Sequence, residues 1–178
     1  MSEEELTDAR WMQLLDSVRE ELGEGAITGV AFGRRLEFSS SQGTWDLSLV
    51  ESRVDIWTRY RFSGKAAFPA AFYLGPYSEA ESIETWNKVQ TGDAGFDSRC
   101  TIWGAVPDLV RQLLSDGVRR SIEELWTFHP SLTFLLQSKE VTIVMPGVLV
   151  DRAGIIQFLM AAGACIQALL KSSGDLRK

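Results

Sequence analysis

Between Arg53 and Phe62 the chain alternates without interruption. Val54, Ile56, Thr58, Tyr60 and Phe62 take every second position, and Arg53, Asp55, Trp57, Arg59 and Arg61 take the others. Successive side chains leave a β-strand on opposite faces, so a period of two over this length specifies a half-buried strand with one polar face. The expectation is that Val54, Ile56, Tyr60 and Phe62 enter a core while Trp57, Arg59 and Arg61 point away from it.

The other elements follow from periodicity and punctuation. Trp11, Leu14, Leu15, Val18 and Leu22 recur at helical spacing, acidic residues crowd the start of the segment, and Gly23 and Gly25 end it. Residues 7–22 therefore read as an amphipathic helix whose acidic start suits the helix dipole. Segments 27–32, 36–40 and 45–50 read as strands, with turns at Gly33-Arg34-Arg35 and Gln42-Gly43. After Gly64-Lys65 the chain returns as a strand over 67–74, where Pro69 argues for an edge or early position. Residues 75–95, opened by Gly75-Pro76 and closed by Gly92-Asp93-Ala94-Gly95, read as an irregular connector, with a short helix over 78–89.

The second half reads as strand, helix, strand, strand, helix. Residues 99–103 form the first strand. Pro107 opens a helical stripe that runs to Trp126 with a kink near Asp116-Gly117, and His129-Pro130 ends it. Residues 132–137 and 140–145 make a hairpin around Ser138-Lys139, and Asp151 caps a last helix carrying Ile155, Leu159, Ala162, Ile166 and Leu169. The fold class is α+β: an N-terminal helix, an antiparallel β-meander, then strand-helix-strand-strand-helix. At 178 residues this is expected to be a single α+β domain over residues 1–178.

Charge narrows the partner classes. Residues 1–25 hold eight acids and two bases, while the rest of the chain holds 16 of each, so the net charge of −6 resides in the first segment. Nucleic-acid binding draws on a basic excess that neutralises phosphates, so no nucleic-acid partner is expected. The acidic Met1-Ser2-Glu3-Glu4-Glu5 start lacks the basic and apolar pattern of a secretory signal. The apolar-leaning run from Gly154 to Leu170 is interrupted by Gln157 and Gln167 and reads as a buried helix, so no membrane insertion is expected. Cys100 and Cys165 stand far apart in apolar settings and read as buried free thiols, in keeping with a cytoplasmic location.

Catalytic signatures are sparse. His129, the one histidine, precedes a proline at a helix end and reads as a capping group rather than a general base. One histidine and two distant thiols do not make a zinc set, and neither G-x-G-x-x-G nor G-x-x-x-x-G-K-[ST] occurs. No metal or cofactor is expected. The feature with recognition character is Trp57 beside Arg59 and Arg61, repeated by Arg99 and Trp103 on a second strand with Cys100 and Ile102 opposite. Trp and Arg are favoured anchors at protein interfaces, so these five residues are the candidate binding set. The competing reading has helices on both sheet faces and the tryptophans packed under arginine stems.

Residues 95–104, Gly-Phe-Asp-Ser-Arg-Cys-Thr-Ile-Trp-Gly, resemble the F-D-x-R-F-x-V-x-G signature of a broad set of uncharacterised bacterial proteins, often membrane-anchored. Gly29 to Phe38 is similar to the opening strands of those proteins, and the likeness covers roughly residues 27–170. Cys100 stands where that pattern has Phe, and no transmembrane part is expected here. The resemblance implies a fold and transfers no catalytic residue. Within the signature, Asp97 is expected to cap the turn after Gly95, and Arg99 to lie across the sheet. The element order and the pI near 4.9 also resemble type III secretion chaperones, which hold an unfolded partner on an α/β dimer surface.

Three function classes follow. The first is a non-catalytic protein-interaction or adaptor domain of a bacterial protein, with another protein as partner. The second is a type III secretion chaperone-like dimer, for which a homodimer interface would be the mark. The third is a small-ligand binder or enzyme with an Arg–carboxylate pocket around Arg59, Arg61 or Arg99.

Overall fold

The computed structural model describes residues 3–23, 25–30, 33–51, 55–76, 85–149 and 151–177. The first helix, α1 (Glu3–Leu22), leads into a four-stranded meander of β1 (Ala26–Val30), β2 (Gly33–Ser39), β3 (Gly43–Glu51) and β4 (Ile56–Gly64). Then come β5 (Phe72–Gly75), β6 (Asn87–Val89), the one-turn helix α2 (Ala94–Asp97) and β7 (Thr101–Gly104). Helices α3 (Pro107–Leu113) and α4 (Asp116–Leu125), the hairpin β8 (Thr133–Gln137) and β9 (Glu140–Pro146), and α5 (Arg152–Asp175) complete the chain.

Among the described residues the nine strands form one sheet in the order β1-β2-β3-β4-β9-β8-β5-β7-β6, antiparallel at every pairing. The α+β class and the order of elements agree with the sequence reading. The connectivity differs at one point. The strand after Gly64-Lys65 does not pair back on β4; the β8–β9 hairpin lies between β4 and β5. Residues 67–71 are irregular and lead into β5, with Phe68 and Ala70 buried in the core.

Two rows of side chains cross the sheet and define its inner face. One runs Phe38, Trp45, Phe62, Val141, Leu136, Phe72 and Gly104. The other runs Leu36, Leu47, Tyr60, Ile143, Phe134, Leu74, Ile102 and Val89. Directly opposed residues share a face, so the pleat delivers both rows to the side that the helices cover. Trp11, Leu15 and Val18 of α1 join this core, as do Val110 and Leu113 of α3, Val118, Ile122 and Leu125 of α4, and Phe158, Ala162 and Ile166 of α5. The Tyr60 ring meets Phe158 edge-on at 6.4 Å, and Phe72 stacks on Phe134 at 5.6 Å. Thr58, the polar member of the inner face of β4, donates its hydroxyl to the Gly147 carbonyl at 2.9 Å.

Helix α5 combines 24 residues with a mean hydropathy of 1.8 in its most apolar window, long and apolar enough to cross a membrane by length and composition. In this fold it is a core helix: Ile155, Phe158, Leu159, Ala162, Cys165, Ile166 and Leu169 are buried while Gln157, Met160 and Gln167 face out.

Several boundaries depart from the sequence expectation. Arg34 and Arg35 open β2 rather than forming a turn. Val54 lies outside the described residues, as does the 78–84 part of the helix expected over 78–89; the end of that segment is the edge strand β6, with Val89 in the core. The helix expected from Pro107 to Trp126 is two helices, because at Leu114 the backbone leaves helical geometry with ψ 50 before Ser115 starts the next one.

Gly104 sits where α3 comes closest to the sheet, and a Cβ there would stand 2.6 Å from Val110 Cγ2. Gly163, inside α5, has no neighbour within 4 Å of a Cβ. Gly104→Ala is expected to destabilise by about 1–3 kcal/mol through overpacking, and Gly163→Ala to stabilise by up to about 1 kcal/mol through helix propensity. Paired thermal melts check both, with opposite shifts in Tm.

Candidate interaction surface

The second face of the sheet carries the positions between the two core rows. Glu37, Asp46, Arg61, Thr142, Leu135, Tyr73, Trp103 and Lys88 are opposed in sequence across eight strands. Beside them run Arg35, Ser48, Arg59, Val144 and Thr133. Among the described residues no helix packs on this face. Trp57, Arg59, Arg61 and Trp103 all belong to it, as their strand positions predict. None is fully exposed and none is packed under a described helix; each is half-buried among its neighbours. Arg61 and Trp103 are separated by four strand spacings of about 4.8 Å, roughly 19 Å. The two tryptophans therefore mark opposite ends of a band and do not form one cluster.

Arg99 departs from expectation. The strand begins at Thr101, and Arg99 lies in the preceding turn, so it does not share the face of Trp103. Its guanidinium sits 4.7 Å from the Trp126 ring centroid at the end of α4 and 3.5 Å from Glu123 Oε1, on the helical side. The alternation of a strand does not extend into a turn, and that is why its position was misread.

Near β3 and β4 the outer face is polar. Arg61 Nε donates to Asp46 Oδ2 at 2.9 Å, and Arg35 pairs with Glu37 at 3.0 Å. Arg59, opposed by Ser48, has no acidic partner among the described residues. Toward β7 the face becomes apolar and aromatic, with Val144, Leu135, Tyr73 and Trp103. Gly75 is required here, since a Cβ would stand 2.7 Å from Tyr73 Cζ and the phenol ring could not lie over the strand.

Six described side-chain atoms are buried without a hydrogen-bond partner: Asp46 Oδ1, Ser48 Oγ, Arg59 Nε, Thr101 Oγ1, Trp103 Nε1 and Arg119 Nε. Five of the six lie on the outer face of the sheet. Each such group costs about 1–3 kcal/mol when left unpaired, and native interiors leave few of them. Their concentration on one face marks it as a surface whose hydrogen-bonding capacity is not met within the described chain. Sequence reasoning places Trp57, Arg59, Arg61 and Trp103 on the outer side of their strands and gives no signal for Asp46, Ser48 and Thr101 beside them. Small polar residues in a strand carry no signal until the register places them beside the arginines.

The remaining chemical candidates are structural. His129 Nδ1 accepts from the Ser131 amide at 3.1 Å and closes a turn. Among the described residues no three His, Cys, Asp or Glu side chains gather as metal ligands would. A cavity of about 610 Å³ lies between α1 and the ends of β3 and β9, lined by Arg10, Trp11, Leu14, Leu49 and Leu149 among others; Arg59, Arg61 and Arg99 are not part of it. The signature segment is a folding device. Asp93 caps α2 by accepting from Gly95 N and Phe96 N at 3.1 and 3.2 Å. Asp97 accepts from Thr91 N, Thr91 Oγ1 and Gly92 N, so its carboxylate pins the turn before Asp93 and not the one after Gly95. Phe96 is buried against Trp126, with centroids 5.2 Å apart.

The fold is α+β, built on one antiparallel sheet with one face that no described helix covers. No family model matches the chain, and no curated protein matches it in sequence. Among solved structures its fold is similar to that of the mycobacterial trehalose monomycolate transport factor A, TtfA. The TM-score is 0.67 over 90% of this chain and 94% of that one, at 9% sequence identity. At that identity the likeness shows the fold alone.

Two expectations follow. Asp97→Ala removes an acceptor of several hydrogen bonds and should lower stability by about 2 kcal/mol in urea titrations. Burial pushes both thiols up to about 12, and the nearby Asp97 carboxylate adds to the shift at Cys100. Both should resist a thiol-reactive dye at pH 8 until the protein unfolds. With the folded thiols held protonated above their ordinary value of 9.0, their contribution to stability is full below pH 9 and falls as pH climbs toward 12.

Proposed function

We propose that this chain is a non-catalytic adaptor domain that binds another protein through the outer face of its sheet. The observation that carries this reading is the gathering of the half-buried Trp57, Arg59, Arg61 and Trp103 on the one face that no described helix covers. Trp and Arg at the centre of a patch supply most of the energy in typical protein interfaces.

The test is a Trp57→Ala, Arg59→Ala double substitution, compared with Met160→Ala on the exposed side of α5. The double variant should keep the circular dichroism of the parent and lose at least tenfold of a co-purifying protein quantified by mass spectrometry, while Met160→Ala keeps it. Retention of that protein by a folded double variant would overturn the reading.

A further inference from the structure

We infer that the cavity beside α1 binds an acyl chain, with the carbonyl end of the ligand at its rim. The inner face of the sheet continues one step past the core rows, to Leu49, Thr58 and Met145 on β3, β4 and β9. Between this end of the sheet and α1 a space of about 610 Å³ remains, a size within the range of small-molecule sites. Both walls are fixed, so the space does not close by collapse. On one side Trp11, Leu15 and Val18 anchor α1 in the core. On the other, Gly147 N donates to the Ile56 carbonyl and Thr58 Oγ1 to the Gly147 carbonyl, each at 2.9 Å, which holds the Val148–Leu149 segment in place.

The lining decides the ligand. Leu14, Leu49, Val148 and Leu149 pack against the core yet stay half-buried, so they keep accessible apolar surface toward the cavity. These aliphatic side chains offer no hydrogen bond, and a sugar or nucleobase would lose its hydration there without replacement. An aliphatic chain gains burial and gives up nothing polar. The polar lining groups are Arg10, Gln13 and Ser17, all on α1, with Arg10 and Gln13 exposed at the rim. Arg10, Leu14 and Ser17 repeat at helical spacing, so this row runs about 10 Å along the helix, room for a chain of medium length. Ser17 already donates to the Leu14 carbonyl at 2.7 Å. Arg10 and Gln13 are therefore the donors for a carbonyl or carboxylate oxygen. No described acid lines the cavity, and Asp16 of α1 is paired with Arg19.

Isothermal titration calorimetry of the full chain with hexanoate, octanoate and decanoate tests this. One molecule should bind per chain, with affinity rising about three- to fourfold for each methylene added. Ser17→Phe and Val148→Phe each bring a ring into the cavity, from opposite walls, and each should weaken decanoate at least tenfold. Using both guards against a folding defect in either. The outer face is not involved, so the Trp57→Ala, Arg59→Ala variant should bind decanoate as the parent does. The head group separates two sources of the chain. Preference for decanoate over monodecanoylglycerol, lost in Arg10→Gln, assigns a free fatty acid; equal or reverse preference assigns an ester lipid. Absence of saturable binding, affinity independent of chain length, or decanoate binding that survives both ring substitutions in folded protein overturns the proposal.

Discussion

The pairing of β4 with β3 on one side and β9 on the other sets the register of the whole sheet. Tyr60 and Phe62 sit between Leu47 and Trp45 on one neighbour and Ile143 and Val141 on the other. A slip of one residue at either boundary would carry an aromatic side chain to the outer face and bring Arg59 or Arg61 under α5. Burying an unpaired guanidinium there would cost several kcal/mol, and losing a packed Phe or Tyr costs about 3–5 kcal/mol more. No alternative register is competitive. Because the hairpin β8–β9 docks on β4, the same constraint brings the second half of the chain onto the first.

A sheet held this firmly on one side has freedom on the other. The outer-face residues between the core rows do not decide the register, so they can be polar, aromatic or unpaired without loss of the fold. Here they grade from ion pairs near β3 and β4 to Tyr73 and Trp103 near β5 and β7. The pattern is unlike a solvated face, where small polar groups would be open to water: Ser48 and Thr101 are nearly inaccessible and have no partner for their hydroxyls. It is equally unlike a second core, since no described helix lies over it.

Legibility in the sequence followed the range of the interactions. The β4 strand could be read because alternation is local, and so could the β8–β9 hairpin, where Ser138 takes a positive φ of 51 at the turn. The break in the helical stripe at Leu114–Ser115 was half-visible through Asp116-Gly117. The insertion of β8–β9 between β4 and β5 was not legible, because nothing local distinguishes a strand that pairs with its predecessor from one that pairs across the chain. The same limit applied to the surface. Trp57, Arg59, Arg61 and Trp103 were found from their own strands. Their separation across the sheet, and the unpartnered Asp46, Ser48 and Thr101 among them, are products of long-range pairing.

Residues 95–104 divide their side chains between the two sides of the sheet. Phe96 fills the space under Trp126, Asp97 ties Thr91 and Gly92, and Gly104 lets Val110 approach the sheet. All three act on the helical side or in the turns that serve it. Trp103, within the same ten residues, points the other way. These contacts seat β7 on the helical side of the sheet and place no demand on the outer face. Sequence similarity carried by the inner positions would therefore track the scaffold, while the outer row, from Glu37 to Lys88, is free of that constraint. The fold shared with TtfA at 9% identity fits that division, since an architecture can persist on the inner rows alone.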